Sequence, residues 1–403
     1  MEKQETAIAL CATGAEKAVS NELRKLGLTV ADSGFGRVRF RSDVAGLYRS
    51  LMGLRAADRV LLEAGFFPAA DFDALFEGTS AVPWERLVPA QMGLRVVKVR
   101  TNRSQLQAET SIQAVVHKAA AQRLCSQYRQ ERLPEDGTAA EVRVYIEKDT
   151  VSLLLDLSGE PLFKRGYRSE GGVAPLRETT AAALLLLSGW KRKFPLYDPF
   201  CGSGTILIEA LMYAWDMAPG LGRRFALENL LIADSKTEAV VREEFRSKVN
   251  FDRIIRIAGS DEDGRAVSIA QSNMERALDV AEGKTPLRGI RLARQGGPAE
   301  QGGLALPELK VLPFSAAKSF AEDAGFIVTN PPYGKRLGDQ AEAERTYGEM
   351  VSLCDTFPGW KLAVITDHQG FESFFGRKAD SCREISNGAI PSYFFQYDAL
   401  RKK

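Results

Sequence analysis

Beyond residue 190, short apolar runs alternate with stretches of helical periodicity, and this constrains the fold more than any other feature of the chain. The runs at 194–198, 254–260, 309–312, 326–329 and 361–366 have the near-continuous apolar character of strands covered on both faces. Between them, 204–215, 263–278 and 342–355 repeat their apolar residues at helical spacing. That alternation implies an α/β unit built on a parallel sheet with helices on both sides. The end departs from it: 382–386 and 393–397 are strand-like and flank Asn387-Gly388, a hairpin signal. The expected sheet is therefore parallel with an antiparallel finish.

The amino-terminal part has a different texture. Residues 6–11, 14–26, 36–40 and 44–54 read as strand, helix, strand and helix. A second α+β stretch follows, with helices at 72–77 and 111–128 and strands at 94–100, 141–146 and 150–155. Lys148 and Asp149 join the last two strands as a short polar turn. A chain of 403 residues supports two or three such units, and the glycine-rich, basic stretch after Pro161 marks a junction. Units at 1–58, 59–158 and 159–403 are expected, with a Gly- and Pro-rich insertion at 281–306.

Composition excludes several classes. With 45% hydrophobic and 26% charged residues the chain is an ordinary globular protein. Its longest nearly uncharged apolar run, 181–190, falls well short of the ~20 residues of a bilayer-spanning helix. Glu2, Lys3 and Glu5 do not open a signal peptide, so a cytoplasmic location is expected. Five scattered cysteines and two histidines offer no zinc spacing, and no metal is expected. The net charge of +2 makes no case for a polyanion, but 95–132 carries a local net charge of +6 from Arg95, Lys98, Arg100, Arg103, Lys118, Arg123, Arg129 and Arg132 against Glu109 and Glu131. Such a stripe suits nucleic acid; charge alone equally permits a solvated helix face and a guarded edge strand.

Three motifs carry chemistry, each at the carboxyl end of an expected strand, where open α/β sheets bind ligands. The first is Asp198-Pro199-Phe200-Cys201-Gly202-Ser203-Gly204-Thr205. It lacks the third glycine of a dinucleotide site and the Gly-Lys-Ser/Thr of a P-loop. The second ends in Asp261, a carboxylate placed to accept ribose hydroxyls, with Asp263 as the cap of the next helix. The third is Asn330-Pro331-Pro332-Tyr333-Gly334. Its prolines fix a rigid extended turn, so the Asn330 side-chain oxygen and the Pro331 carbonyl can hold the two hydrogens of a nucleobase amine, with Tyr333 stacked on the base. Cys201 as a nucleophile is disfavoured by its place inside the glycine-rich turn.

The first motif resembles the S-adenosylmethionine turn of class I methyltransferases that modify amino groups. Such enzymes usually present an acidic residue to the adenine after the third strand; here Pro313-Phe314-Ser315 stands instead, so either the Ser315 hydroxyl substitutes or the register differs, with Phe314 against the adenine. Added to these are Ser111-Ile112-Gln113, Lys164-Arg165-Gly166-Tyr167-Arg168, Ala174-Pro175-Leu176-Arg177-Glu178-Thr179, Ala218-Pro219-Gly220-Leu221, Arg336-Leu337, the stretch 371–376 and Asn387-Gly388. Together they resemble the THUMP-containing RNA guanine-N2 methyltransferases, most nearly the bacterial enzymes of 23S ribosomal RNA.

The resemblance implies a Rossmann-like class I methyltransferase domain with a seven-stranded, mostly parallel sheet, preceded by α+β ferredoxin-like (1–58) and THUMP (59–158) units. It implies S-adenosylmethionine as cofactor, held by Asp198, Phe200, Gly202, Ser203, Gly204, Thr205, Asp261 and Ser315. Asn330, Pro331, Pro332 and Tyr333 would hold the base. RNA would be met by Arg95, Lys98, Arg100, Arg103, Lys118, Arg123, Lys164, Arg165 and Arg168. Assembling large ribosomal subunit is a partner the resemblance allows. A transfer RNA guanine-N2 enzyme of the same architecture, and a noncatalytic RNA-binding assembly factor, remain alternatives.

Overall fold

The computed structural model describes residues 4–168, 176–282, 306–321, 324–332, 340–388 and 390–401. The expected contributions of Ala174, Pro175, Tyr333, Gly334, Arg336 and Leu337, and most of the 281–306 insertion, lie outside the described residues.

The elements run β1 (Glu5–Cys11), α1 (Glu16–Lys25), β2 (Thr29–Gly34), β3 (Arg37–Ser42), α2 (Val44–Gly53), β4 (Ala57–Pro68), α3 (Phe72–Ala81), β5 (Gly93–Asn102), α4 (Glu109–Tyr128), β6 (Ala139–Glu147) and β7 (Thr150–Asp156). These seven strands form one sheet in the order β2-β3-β1-β4-β7-β6-β5. Twelve-residue β4 pairs with β1 on one side and β7 on the other. The boundary expected between residues 58 and 59 thus falls inside β4, and the strands on either side of it share one sheet. Alternation sorts the side chains by face: Ala7 and Ala9 of β1 join the large core under α1 to α4. Ile8 instead packs with Leu61 and Leu154 on the opposite face, flanked by Leu10 and Tyr145.

The second part runs α5 (Glu178–Leu187), β8 (Leu196–Asp198), α6 (Thr205–Ala214), α7 (Ser235–Arg246), β9 (Ile257–Asp261), α8 (Gly264–Glu282), β10 (Glu308–Val311), β11 (Phe326–Thr329), α9 (Gln340–Glu349), β12 (Lys361–Thr366), β13 (Ser381–Asn387) and β14 (Ile390–Tyr397). Its seven strands are ordered β10-β9-β8-β11-β12-β14-β13. Pairing is parallel from β10 to β12, and antiparallel from β12 to β14 and from β14 to β13. The parallel sheet with an antiparallel hairpin is as expected. Strand β8 is the earliest of this sheet in the chain, and the order departs from it in both directions, so β8 and β11 flank the switch point.

No helix among the described residues is long and apolar enough to cross a membrane.

Candidate functional site

The chain leaves β8 into a turn built for close approach. Gly202 and Gly204 take positive φ (+52° and +81°), a region costly for a residue with a Cβ. A Cβ on Gly204 would meet that of Ala270 on α8 at 2.9 Å, whereas one on Gly202 would point into open space. The turn is tied at every step. Cys201 N donates to Ser260 O (2.9 Å), Gly204 N to Cys201 O (2.8 Å) and Gly202 N to Asp261 Oδ2 (2.8 Å). From α8, Asn273 Nδ2 donates to Ser203 O at 3.0 Å, and from residue 168 a guanidinium donates to Thr205 Oγ1 at 2.9 Å.

Asp198 sits at the bottom, 1% exposed. Its Oδ1 accepts from Phe200 N (3.1 Å) and Thr329 Oγ1 (2.7 Å), while Oδ2 accepts nothing among the described residues. Burial pushes this carboxyl up to about 7, against the lowering effect of those two bonds. A buried carboxylate with one open oxygen is the complement of an ammonium group. Asp261, at the end of β9, uses one oxygen for Gly202 N and the other for Asp263 N; each oxygen can accept a second hydrogen bond. Asp263 accepts from Arg265 N at 2.8 Å and caps α8, as expected. Burial pushes the Cys201 thiol far up, which disfavours the thiolate a nucleophile needs.

Two rings close the side nearest β10. Phe200 and Phe314 lie with centroids 4.9 Å apart and planes at 36°. Ser315 lies exposed beside them in a short 3-10 turn.

Across the switch point, β11 delivers Asn330-Pro331-Pro332. Thr329, the residue before it, is the one whose hydroxyl reaches Asp198, so the two motifs are hydrogen-bonded neighbours. Pro332 O accepts from Tyr347 Oη at 3.1 Å, and Thr366 Oγ1 lies 2.9 Å from the same phenol. The phenol has one hydrogen, so Thr366 is then the donor of the second bond. Asn330 is half-buried and Pro331 buried.

The expected RNA cations divide. Arg95, Arg103, Lys118 and Lys164 are exposed, Lys98 is half-buried, and Arg100 pairs with Glu109 at the surface. Three expectations are corrected. Arg165 is 2% exposed, because it is the partner of Glu209 inside the molecule. Arg168 is spent on Thr205, Glu178 and Leu176 O. Arg123 fastens α4 to α3 and the segment after it, Nε and Nη2 donating to Glu85 and Nη1 to Ser80 O. Topology gathers further cations at the surface. A cleft of about 900 Å³ opens between β3, β4, β5 and β6, and eight of its lining residues are Lys or Arg against two carboxylates, Asp58 and Glu147. Arg37, Arg59, Arg143, Lys148 and Arg177 are the cations of this cleft that the stripe at 95–132 did not contain; they come from distant stretches. Alternation in Arg37-Val38-Arg39-Phe40-Arg41 is the one local signal for that face. Asp156, buried beneath, pairs with both Arg59 and Arg143. Burial, then Arg100, Arg143 and Arg59, hold the Lys98 ammonium below its ordinary range.

This geometry agrees with what the chain is similar to. Residues 165–281 and 309–394 match the family model described as RMKL-like, methyltransferase domain, and 6–61 match the RlmL ferredoxin-like domain. YpsC of Bacillus subtilis is 34% identical over 98% of this chain and 96% of its own length. The ribosomal RNA large subunit methyltransferase K/L of Syntrophotalea carbinolica is 32% identical over 97% of this chain, which spans only 53% of that enzyme. Among solved structures, SMU.472 in complex with SAH matches over the full length of both chains with a TM-score of 0.85 and 34% identity. The chain belongs to the RMKL-like methyltransferase family, whose cofactor is S-adenosylmethionine.

Proposed function

We propose that the protein methylates the exocyclic N2 amine of a guanine in 23S ribosomal RNA, in the cytoplasm, with the assembling large subunit as a candidate partner. The observation that carries the reading is the clamp of Asn330-Pro331-Pro332 against the cofactor turn through Thr329 and Asp198. The name of the K/L relatives supports ribosomal RNA as the substrate class.

S-adenosylmethionine supplies a methyl group on a sulfonium; as the nitrogen–carbon bond forms, the sulfur–carbon bond breaks and the sulfur leaves as a neutral thioether. Everything else falls to the chain. Gly202 leaves open space beside the turn, Asp198 Oδ2 takes the ammonium of the methionine end, and Asp261 takes the ribose. Phe200 and Phe314 form the apolar wall for the adenine, with Ser315 at its edge. An exocyclic guanine amine is a poor nucleophile because its lone pair is delocalised into the ring. Two acceptors, Asn330 Oδ1 and Pro331 O, hold its hydrogens, aim the lone pair and favour the developing positive charge. Tyr333 is the stacking partner for the extruded base. The methylated amine then loses its proton to solvent, so no general base is required. Residues 59–158 serve as the THUMP unit that presents the RNA, with the cations of β5 and the cleft as its contacts.

The test is methyl transfer from labelled S-adenosylmethionine to unmodified 23S RNA, transfer RNA and duplex DNA, followed by identification of the labelled nucleoside. N2-methylguanosine from 23S RNA is expected. The same product from transfer RNA alone would move the substrate to that class, and label in DNA adenine would overturn the reading. Asn330→Ala should lower kcat by about 10²–10³, the cost of losing one oriented polar contact in the transition state, with SAH affinity within about twofold; retained activity would remove Asn330 from its role.

A further inference from the structure

Phe35 breaks two rules at once. It is 91% exposed, the most exposed of the large hydrophobic residues described. It also takes φ +50° beside Gly36 at +75°, between β2 and β3. Two successive positive φ values make the primed hairpin turn that Asn-Gly or Asp-Gly normally occupies, and a bulky residue there is an outlier. Such a breach at an exposed position, with nothing gained in packing, points to function rather than folding.

The turn is held rigidly. Glu16 accepts from Gly36 N (2.6 Å) and Gly14 N (2.9 Å), and Cys11 N donates to Gly36 O at 2.8 Å. The adjacent loop is bonded to the last hairpin of the catalytic part, Ser386 N to Thr13 O (3.1 Å) and Thr13 N to Ser386 Oγ (3.0 Å). Phe35 also lines the cationic cleft, together with Tyr145, Phe163 and Arg177. A solvent-facing ring on a hydrogen-bonded turn beside a cationic groove is what binders of single-stranded nucleic acid combine, the groove following the phosphates and the ring taking a base face.

We propose that Phe35 is a stacking anchor for an unpaired nucleobase, and that the cleft between β3, β4, β5 and β6 carries the flanking phosphodiesters of a single-stranded RNA segment. This rests on RNA as the substrate and specifies which form of it the amino-terminal sheet grips. Stacking is indifferent to base identity and needs the base unpaired, so the site selects single-stranded over duplex RNA. The ring contributes affinity without charge, whereas Lys98 and Lys148 contribute through counterion release.

The probe is a fluorescent, unstructured RNA oligonucleotide, titrated against the full chain over a range of salt, beside a duplex of the same length. Phe35→Ala should weaken single-strand binding about tenfold, within the range alanine substitution gives for base–aromatic stacking. It should leave the salt slope, duplex binding and SAH affinity unchanged. Phe35→Trp should restore the affinity. Phe35→Asn, which suits the turn, should unfold at a higher temperature while binding the single strand as weakly as the alanine variant. Lys148→Ala should instead flatten the salt slope by about one. If the lysine variant behaves so while Phe35→Ala binds normally, or loses as much on duplex, the stacking anchor is wrong and the RNA reading stands. If the chain binds neither RNA, the RNA reading itself fails.

Discussion

Asp198 has the least favourable place for a charge in the proposed cofactor site. Its folded carboxyl titrates near 7 against an ordinary value of 3.8, chiefly through burial. A raised value means that the folded free protein holds the proton more tightly than the unfolded chain. The stability this contributes is complete below about 3.8, shrinks as pH rises, and is lost above about 7. Binding an ammonium group reverses the preference, because the carboxylate then has its cation. SAH affinity should therefore rise between pH 6 and 7.5 by up to about eightfold, following the ionised fraction of a group with a midpoint near 7. Calorimetric titration of SAH across that range checks it. Asp198→Asn keeps an acceptor for Phe200 N and Thr329 but cannot ionise, so it should bind SAH weakly with no slope and be more stable than the parent at pH 8. A slope that survives in this variant would assign the titration to another group.

Helix α8 shows how one element can build a site it does not line with a ligand. Ala270 packs against Gly204, Asn273 Nδ2 holds Ser203 O, and Arg276 donates to Asn273 Oδ1 (2.7 Å) and to Tyr167 O (2.9 Å). These residues recur on one helical face, and the guanidinium fixes which way the Asn273 amide points. Asn273→Ala should orphan the Ser203 carbonyl and weaken SAH binding about tenfold, the cost of one unsatisfied buried acceptor. Asn273→Asp keeps the Arg276 bond but sets an anion against that carbonyl, and should be weaker still; equal affinity in the two variants would mean that the turn does not depend on this bond. The turn and its helices are legible in the sequence because glycine spacing and helical periodicity are local properties. Asn273 is not, since its role depends on where α8 crosses α6. Strand β2 escaped for another reason: its side chains are mostly exposed, so it has no apolar alternation and exists through its pairing with β3. Strand β4 carries a readable apolar run at Val60-Leu61-Leu62, but only the pairing shows that it lies between β1 and β7 in one sheet. The cationic cleft is the extreme case, because Arg37, Arg59 and Arg143 become neighbours through sheet order, and Arg177 joins them from the start of α5.

The two parts of the molecule are joined through buried charge. Glu22 of α1 accepts from Arg55 N and Ala56 N, and Arg55 Nη2 donates to Met217 O at 2.6 Å. Arg165 donates to Arg55 O at 2.6 Å and pairs with Glu209 of α6 at 3.3 Å, and Tyr167 Oη donates to the same carboxylate at 3.1 Å. Arg165 and Glu209 are almost wholly out of water, so each pays a desolvation cost that the opposite charge offsets together with the bonds of Arg165 to Arg55 O and of Tyr167 to Glu209. Glu209 lies on the helix that starts at Thr205, which makes the junction and the cofactor turn parts of one structure. Neutralising one partner therefore has a larger effect than removing both. Glu209→Gln leaves Arg165 charged and buried, and should destabilise the full chain by ~3–5 kcal/mol. The double variant Arg165→Met/Glu209→Met removes both desolvation costs along with the attraction, and should recover most of that loss while giving up the bonds to Arg55 O and Tyr167. Urea unfolding followed by tryptophan fluorescence measures both, with Trp215 buried in the catalytic core and Trp84 in the amino-terminal one. A double variant no more stable than Glu209→Gln would mean that the hydrogen bonds of Arg165, rather than the balance of two charges, hold the amino-terminal sheet to the methyltransferase sheet.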